Sequence, residues 1–242
     1  MGYGVQVYCM KEIARNNLED ALEIAERVGY DGVEFAGFYG HTAEEVRDML
    51  ERHHLKVYGA HLGFADYIWN DLEAFIRYQK TIGNTRCIIP GHDLYTREKL
   101  DSFIEKCNEI SPRLRAEGID LIYHNHNREF LPVPEEGYIV HEELEKRCDI
   151  LFEIDTYWAY VAGRDPLALL DHFGDRVPLI HIKDGSADGK IGCPLGRGEA
   201  PVADIWKKAR DTGRDIVVEI ENRKPSSEEV IRLCLEYMRS LE

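Results

Sequence analysis

The sequence has no apolar run near the ~18 residues that a membrane-spanning helix needs, so no spanning helix is expected. Its start, Met1-Gly2-Tyr3-Gly4-Val5-Gln6, has neither the basic region nor the long apolar stretch of a signal peptide, and the chain reads as cytoplasmic. The six cysteines (Cys9, Cys87, Cys107, Cys148, Cys193 and Cys234) are scattered and include no C-x-x-C pair. That spacing argues against a disulfide framework and for free, mostly buried thiols in a reducing compartment. Positive charge is scarce: 30 Lys and Arg stand against 45 Asp and Glu, a net charge of −15. Such a chain repels nucleic acid phosphates and anionic membranes. No G-x-G-x-x-G follows the first apolar run, which weakens a dinucleotide-binding reading. No low-complexity linker or change of composition divides the chain, so residues 1–242 are expected to form one domain.

What is present is an alternation of short apolar runs with longer amphipathic segments. Strands are expected at Tyr3 to Tyr8, Gly32 to Phe35, Lys56 to Ala60, Arg86 to Pro90, Ile119 to Tyr123, Leu151 to Ile154, Pro178 to Ile182 and Ile216 to Ile220. Helices are expected between them at Leu18 to Val28, Thr42 to Arg52, Leu72 to Ile82, Thr96 to Ala116, Glu142 to Lys146, Pro166 to His172 and Val202 to Asp211, with a last one at Ser227 to Ser240. Leu18, Ala21, Leu22 and Ala25 share one helical face, and Gly29 stops that helix. Thr42 with Glu45 three residues on is a capping-box pattern. Strands alternating with helices imply a parallel sheet, because parallel neighbours need crossovers. Eight such units in a chain near the ~250 residues of one barrel predict a closed (β/α)8 TIM barrel.

In such a barrel the site lies at the C-terminal ends of the strands. Polar residues stand there in numbers: Glu34, His61, His92, His124-Asn125-His126, Asp155, then His181, Lys183 and Asp184, and finally Glu219, Glu221 and Asn222. An ordinary core does not need them, since buried charges are costly unless paired or bound to metal. Residues two apart share a strand face. Asp155 therefore shares its face with Glu153, His181 with Lys183, Glu219 with Glu221, and His124 with His126. If those faces look into the barrel mouth, His124, Asp155, His181 and Glu219 surround one point, with His126 as the other choice on strand five. Two nitrogens and two carboxylates suit one divalent ion such as Mn²⁺, Zn²⁺, Co²⁺ or Fe²⁺ better than Ca²⁺. His53, His54, His141 and His172 read as surface or hydrogen-bonded structural histidines.

These pieces resemble the sugar phosphate isomerase/epimerase family, the xylose isomerase-like barrels. The matching segments are Gly4-Val5-Gln6, Gly32-Val33-Glu34, Tyr123-His124-Asn125-His126, Glu153-Ile154-Asp155-Thr156-Tyr157-Trp158, His181-Ile182-Lys183-Asp184, Gly196-Arg197-Gly198-Glu199 and Val217-Val218-Glu219. The resemblance implies a divalent metal held from strands five to eight, with Asp155, His181 and Glu219 matching three of the four ligands. His124 stands where the epimerases carry glutamate. In that respect the chain resembles a branch that includes inositol dehydratase-like and keto-glycoside-processing barrels. Homo-oligomers are common in the family.

The expected chemistry is proton transfer beside the carbonyl of a small sugar or polyol, through an enediolate that the ion stabilises. Glu219, His126 and Glu34 are the candidate bases, and Lys183 could steady the oxyanion. His61, His92 and Trp158 are candidate sugar contacts, and Arg197 could hold a phosphate or carboxylate. Epimerisation, isomerisation and elimination share the first step, so a lyase or dehydratase competes with an isomerase. An endonuclease IV-like phosphodiesterase would need about three metals and a basic groove. A sugar-binding barrel without activity is the remaining alternative.

Overall fold

The structure is a computed structural model and describes residues 2–62, 70–221 and 227–242. Every expected apolar run forms a strand: β1 Tyr3–Gln6, β2 Gly32–Ala36, β3 Lys56–His61, β4 Arg86–Ile89, β5 Asp120–His124, β6 Leu151–Asp155 and β7 Leu179–Ile182. A two-stranded hairpin of β8 Asp184–Gly185 and β9 Gly192–Cys193 precedes the last one, β10 Asp215–Val218. The eight longer strands close in the order β1-β10-β7-β6-β5-β4-β3-β2, with every pair parallel. With helices around the outside, the architecture is the (β/α)8 TIM barrel.

Strand parity sorts the side chains into two cores. One set faces the helices and joins the main apolar cluster. The other, Tyr58, Ile88, Ile122, Leu179 and Val217, forms a small separate cluster that plugs the lower lumen. Gly4 leaves room for it, since a Cβ there would lie 2.9 Å from the Tyr58 ring. Two residues further along the same faces come His124 after Ile122, His181 after Leu179 and Glu219 after Val217. The lumen thus changes from apolar to ionisable within one pleat of the sheet.

The helix starts follow their capping chemistry. Asn17 caps the helix Leu18–Val28, and Gly29, at φ 101°, ends it. Thr42 and Glu45 form the reciprocal capping box of Ala43–Arg52, and Thr96 caps Arg97–Ala116. Several features differ from the sequence expectation, among them a short helix at Lys11–Asn16. The first strand stops at Gln6 and turns into a 3-10 helix over Val7–Met10, because the Gln6 side chain accepts from Tyr8 N. An unexpected short helix, Thr156–Val161, follows β6 without a loop. The glycine-rich loop contains the β8–β9 hairpin, and Asp184 ties it down by accepting from Gly185 N, Gly198 N and Ala200 N. Asn222 lies outside the described residues. No helix among the described residues is long and apolar enough to cross a membrane.

Candidate metal centre and active site

Four neighbouring strand ends bring His124, Asp155, His181 and Glu219 together. Register does most of this work, since Asp155 pairs with His181 across β6 and β7. One ligand atom from each of the four lies within 4.8 Å of every other. All four side chains are buried. His124, not His126, is the β5 residue in this group. His181 Nδ1 sits 2.9 Å from Glu219 Oε2, and His124 Nε2 sits 3.8 Å from Asp155 Oδ2.

Asp155 is the most firmly held of the four. Its Oδ1 caps the helix Thr156–Val161 by accepting from Trp158 N at 2.9 Å. Its backbone N donates to Asn125 Oδ1 at 3.1 Å, and its carbonyl accepts from Asn125 Nδ2 at 3.2 Å. Thr156 Oγ1 donates to the His181 carbonyl and ties β6 to β7. Asp155 Oδ2 is left pointing at its neighbours. It lies 2.8 Å from Lys183 Nζ but has no partner in hydrogen-bond geometry among the described residues. The buried Lys183 ammonium also contacts Glu219 Oε2 at 2.6 Å and Glu221 Oε1 at 2.7 Å.

Below these four residues is a second tier that sequence reading did not single out as a unit. Glu153 Oε2 meets His124 Nδ1 at 2.9 Å and His61 Nε2 at 2.8 Å. Glu34 Oε1 meets His181 Nε2 at 2.6 Å and His61 Nε2 at 3.0 Å, and accepts from Gln6 Nε2 at 2.7 Å. His61, His124, Glu153 and His181 form a second group with ligand atoms within 4.8 Å of one another, overlapping the first at two histidines.

The charges divide unevenly. Burial pushes the Glu34 carboxyl up, but His61 and His181 outweigh it and hold the group well below its ordinary range. Burial and the adjacent Glu34 push Glu153 well above its own. Glu34 Oε2 and Glu153 Oε1 lack a hydrogen-bond partner among the described residues, and Glu153 Oε1 lies 3.3 Å from His181 Nε2. Burial and then the neighbouring cations push the His124 imidazolium well down, so this ring is neutral. Burial opposes charge on His181 and Lys183 as well, yet the surrounding carboxylates win and raise both, His181 to about 10.

A cavity of about 370 Å³ opens above the quartet, lined by Tyr8, Ala36, Gly37, His61, Pro90, His124, His126, Glu219 and Glu221. That volume is within the range of small-ligand sites. Of the residues expected to act on substrate, Glu219, His126 and His61 line this cavity. Glu34 lies beneath it. Lys183 sits behind the wall against Trp158, 5.8 Å from the ring centre. Trp158 packs under the hairpin, where a Cβ on Gly189 would lie 2.9 Å from its ring, and its Nε1 donates to Glu221 at 3.4 Å. His92 is stacked on Phe103 at 5.4 Å, and neither it nor the exposed Arg197 is among the described residues lining the cavity. Glu221 and Tyr8 are additional wall residues. Two imidazoles and two carboxylates, with Asp155 Oδ2 buried and lacking a partner in hydrogen-bond geometry among the described residues, make a donor set that fits one divalent transition ion.

The profile of the xylose isomerase-like TIM barrel family matches residues 22–241. The chain belongs to that family. Within this xylose isomerase-like family, the chain is 22% identical to an inosose dehydratase of Lacticaseibacillus casei, over 88% of this chain and 85% of the relative. The crystal structure of a sugar phosphate isomerase/epimerase from Parabacteroides distasonis superposes with a TM-score of 0.82 at 23% identity, covering 97% of this chain and 96% of the other. A probable 3-DHS dehydratase from Bacillus anthracis superposes with a TM-score of 0.76 at 14% identity, covering 99% of both chains. Relatives in this xylose isomerase-like barrel thus carry isomerase/epimerase names and dehydratase names alike.

Proposed function

We propose that this protein is a metal-dependent isomerase or epimerase of a small keto-sugar or polyol, moving a proton at the carbon beside the carbonyl. The observation that carries this reading is the convergence of His124, Asp155, His181 and Glu219 beneath a sugar-sized cavity. A divalent ion held by these four would supply Lewis-acid polarisation of a carbonyl and its neighbouring hydroxyl. The chain's own residues supply the proton handling. Glu219 and Glu221 stand on the β10 side of the cavity, and His61 and His126 stand on the β3 and β5 side. Proton acceptors on two sides of a planar carbon are what inversion or relocation of a C–H bond requires. Lys183 keeps Glu219 ionised, since the nearby ammonium outweighs the burial that pushes this carboxyl up and holds it well below the ordinary glutamate range. The acidic net charge of −15 supports a small-molecule substrate over nucleic acid.

Dehydration is a second reading, favoured by one observation. The β5 member of the quartet is His124, so Glu219 is the one glutamate in it, which leaves no pair of glutamates for an exchange across a metal held there. Elimination needs one base and one acid near the leaving hydroxyl, which Glu219 and His126 would provide. The test is incubation of the Mn²⁺-loaded protein with ketohexoses and keto-inositols in deuterated water, followed by NMR. Deuterium at the carbon beside the carbonyl with an epimer or isomer as product supports the first reading. An unsaturated ketone or its tautomer as product moves the assignment to dehydratase. No exchange and no product with any keto-polyol overturns both.

A further inference from the structure

The two tiers of the centre share His124 and His181, and each of these rings presents one nitrogen to each tier. His124 turns Nδ1 to Glu153 at 2.9 Å and Nε2 toward Asp155 at 3.8 Å. His181 turns Nε2 to Glu34 at 2.6 Å and Nδ1 to Glu219 at 2.9 Å. One ring nitrogen cannot both carry a proton and ligate a cation. We propose that Glu153 and Glu34 are positioning residues that fix the tautomers of the two histidine ligands. Glu153 holds the proton on His124 Nδ1 and leaves Nε2 bare; Glu34 keeps the proton on His181 Nε2, so that Nδ1, facing Glu219, is the nitrogen that gives up its proton to a cation.

The lower tier is built for this task. Glu34, Glu153 and Gln6 are fully buried and sit between the apolar plug and the upper ligands. Gln6 donates to Glu34 through Nε2 and accepts from Tyr8 N through Oε1, so its amide cannot flip without losing both bonds. That fixes Glu34 as an acceptor. His61 bridges the two carboxyls from the third side and stacks on His181 at 5.1 Å, which restrains the ring plane. A carboxylate behind a metal-binding imidazole also raises the basicity of its free nitrogen. The two groups of four donors are therefore one site and its support, and not two cation sites. Glu34 acts through His181 and does not touch substrate.

This inference rests on the metal reading above, and one of its tests does not. In metal-free protein labelled with ¹⁵N-histidine, NMR should show His124 protonated on Nδ1 with Nε2 bare, and His181 protonated on Nε2. His124 protonated on Nε2 overturns the proposal, whether or not the protein binds metal. The second test is calorimetric titration with Co²⁺. Glu153→Leu, close in volume but without an acceptor, should weaken Co²⁺ binding about 10–100-fold, and Glu153→Gln, which keeps an acceptor, should recover most of it. A folded Glu153→Leu protein with wild-type Co²⁺ affinity overturns the proposal. Should Glu153→Leu fail to fold, the wild-type tautomers decide. Wild-type protein that binds no Co²⁺ but shows the expected tautomers removes the metal reading and leaves the assignment of Glu153 and Glu34 standing.

Discussion

Asn125 grips the backbone of Asp155 from both sides, accepting from its N–H and donating to its carbonyl. The amide thereby continues the β5–β6 ladder by one step with a side chain, at the point where β6 gives way to a helix. Replacing Asn125 by Ala leaves the buried Asp155 N–H unpaired, while the Asp155 carbonyl, as the helix N-cap, keeps its intrahelical bond. That should cost about 1–3 kcal/mol before relaxation, read as a lower urea midpoint. Because the same bonds aim the Asp155 carboxylate, Mn²⁺ affinity should fall as well. An Asn125→Ala protein with an unchanged midpoint and unchanged Mn²⁺ affinity would show that the clamp is dispensable.

Lys183 is the cation that Asp155, Glu219 and Glu221 hold in this structure. Its removal takes the shared ammonium from three carboxylates and leaves His181, beside Glu219, as the nearby counter-charge. Breaking one partner from such a buried cluster costs about 3–5 kcal/mol, or roughly 10 °C in Tm for a chain of this size. Lys183→Met should therefore melt early without metal and gain more from Mn²⁺ than the wild type does, since ligand binding adds to stability by mass action. Differential scanning calorimetry with and without Mn²⁺ checks both. Equal Mn²⁺ shifts in the two proteins would mean that lysine and metal do not share the carboxylates.

His141 gives the fold an acid-sensitive point away from the site. It is buried against Phe130, Phe152 and Phe173, and its Nε2 has no partner among the described residues. Burial, with Arg176 and Arg164 adding repulsion, pushes its pKa down to about 3. The folded value is below the unfolded one, so the unfolded chain takes up the proton first as pH falls. The stability that neutral His141 allows is complete above about pH 6.5 and declines by up to about 1.4 kcal/mol per pH unit toward pH 3. Urea unfolding at pH 7 and pH 4.5 should show His141→Phe losing less stability than wild type over that interval. The same pH slope in both proteins would remove His141 as the cause.

The barrel itself was legible because its signals are local and periodic. The helices Leu18–Val28, Val202–Asp211 and Ser227–Ser240 have the expected bounds. The reciprocal bonds of Thr42 and Glu45 follow from their spacing alone. Parity also sufficed to gather His124, Asp155, His181 and Glu219, since a strand fixes which residues share a face. The helix Thr156–Val161 was not legible, because its cap is Asp155, which is also the last residue of β6, and its aromatic residues favour a strand by propensity. Period two places Glu153 on the face of Asp155, and Glu153 and Gln6 both fall in family-like segments, but each sits inside an otherwise apolar run and nothing local assigns it a role. His92 and Arg197 follow strands in sequence, but their distance from the cavity is set by loop paths that no local pattern encodes.

Removal of the metal should abolish turnover. Dialysis against a chelator should eliminate deuterium exchange into keto-polyol substrates, and Mn²⁺ or Co²⁺ should restore it. Asp155→Asn, which keeps the helix cap but removes the ligand charge, should lower activity by at least about 100-fold if the ion is the dominant source of charge stabilisation. A metal-free Asp155→Asn protein with full activity would contradict the scheme.

The most direct measurement is anomalous diffraction from crystals of the full chain grown with Mn²⁺. The account predicts one strong peak per chain, bounded by His124 Nε2, Asp155 Oδ2, His181 Nδ1 and the Glu219 carboxylate. A map with no peak at that point, and with the Lys183 ammonium still seated on Asp155 and Glu219, would contradict it.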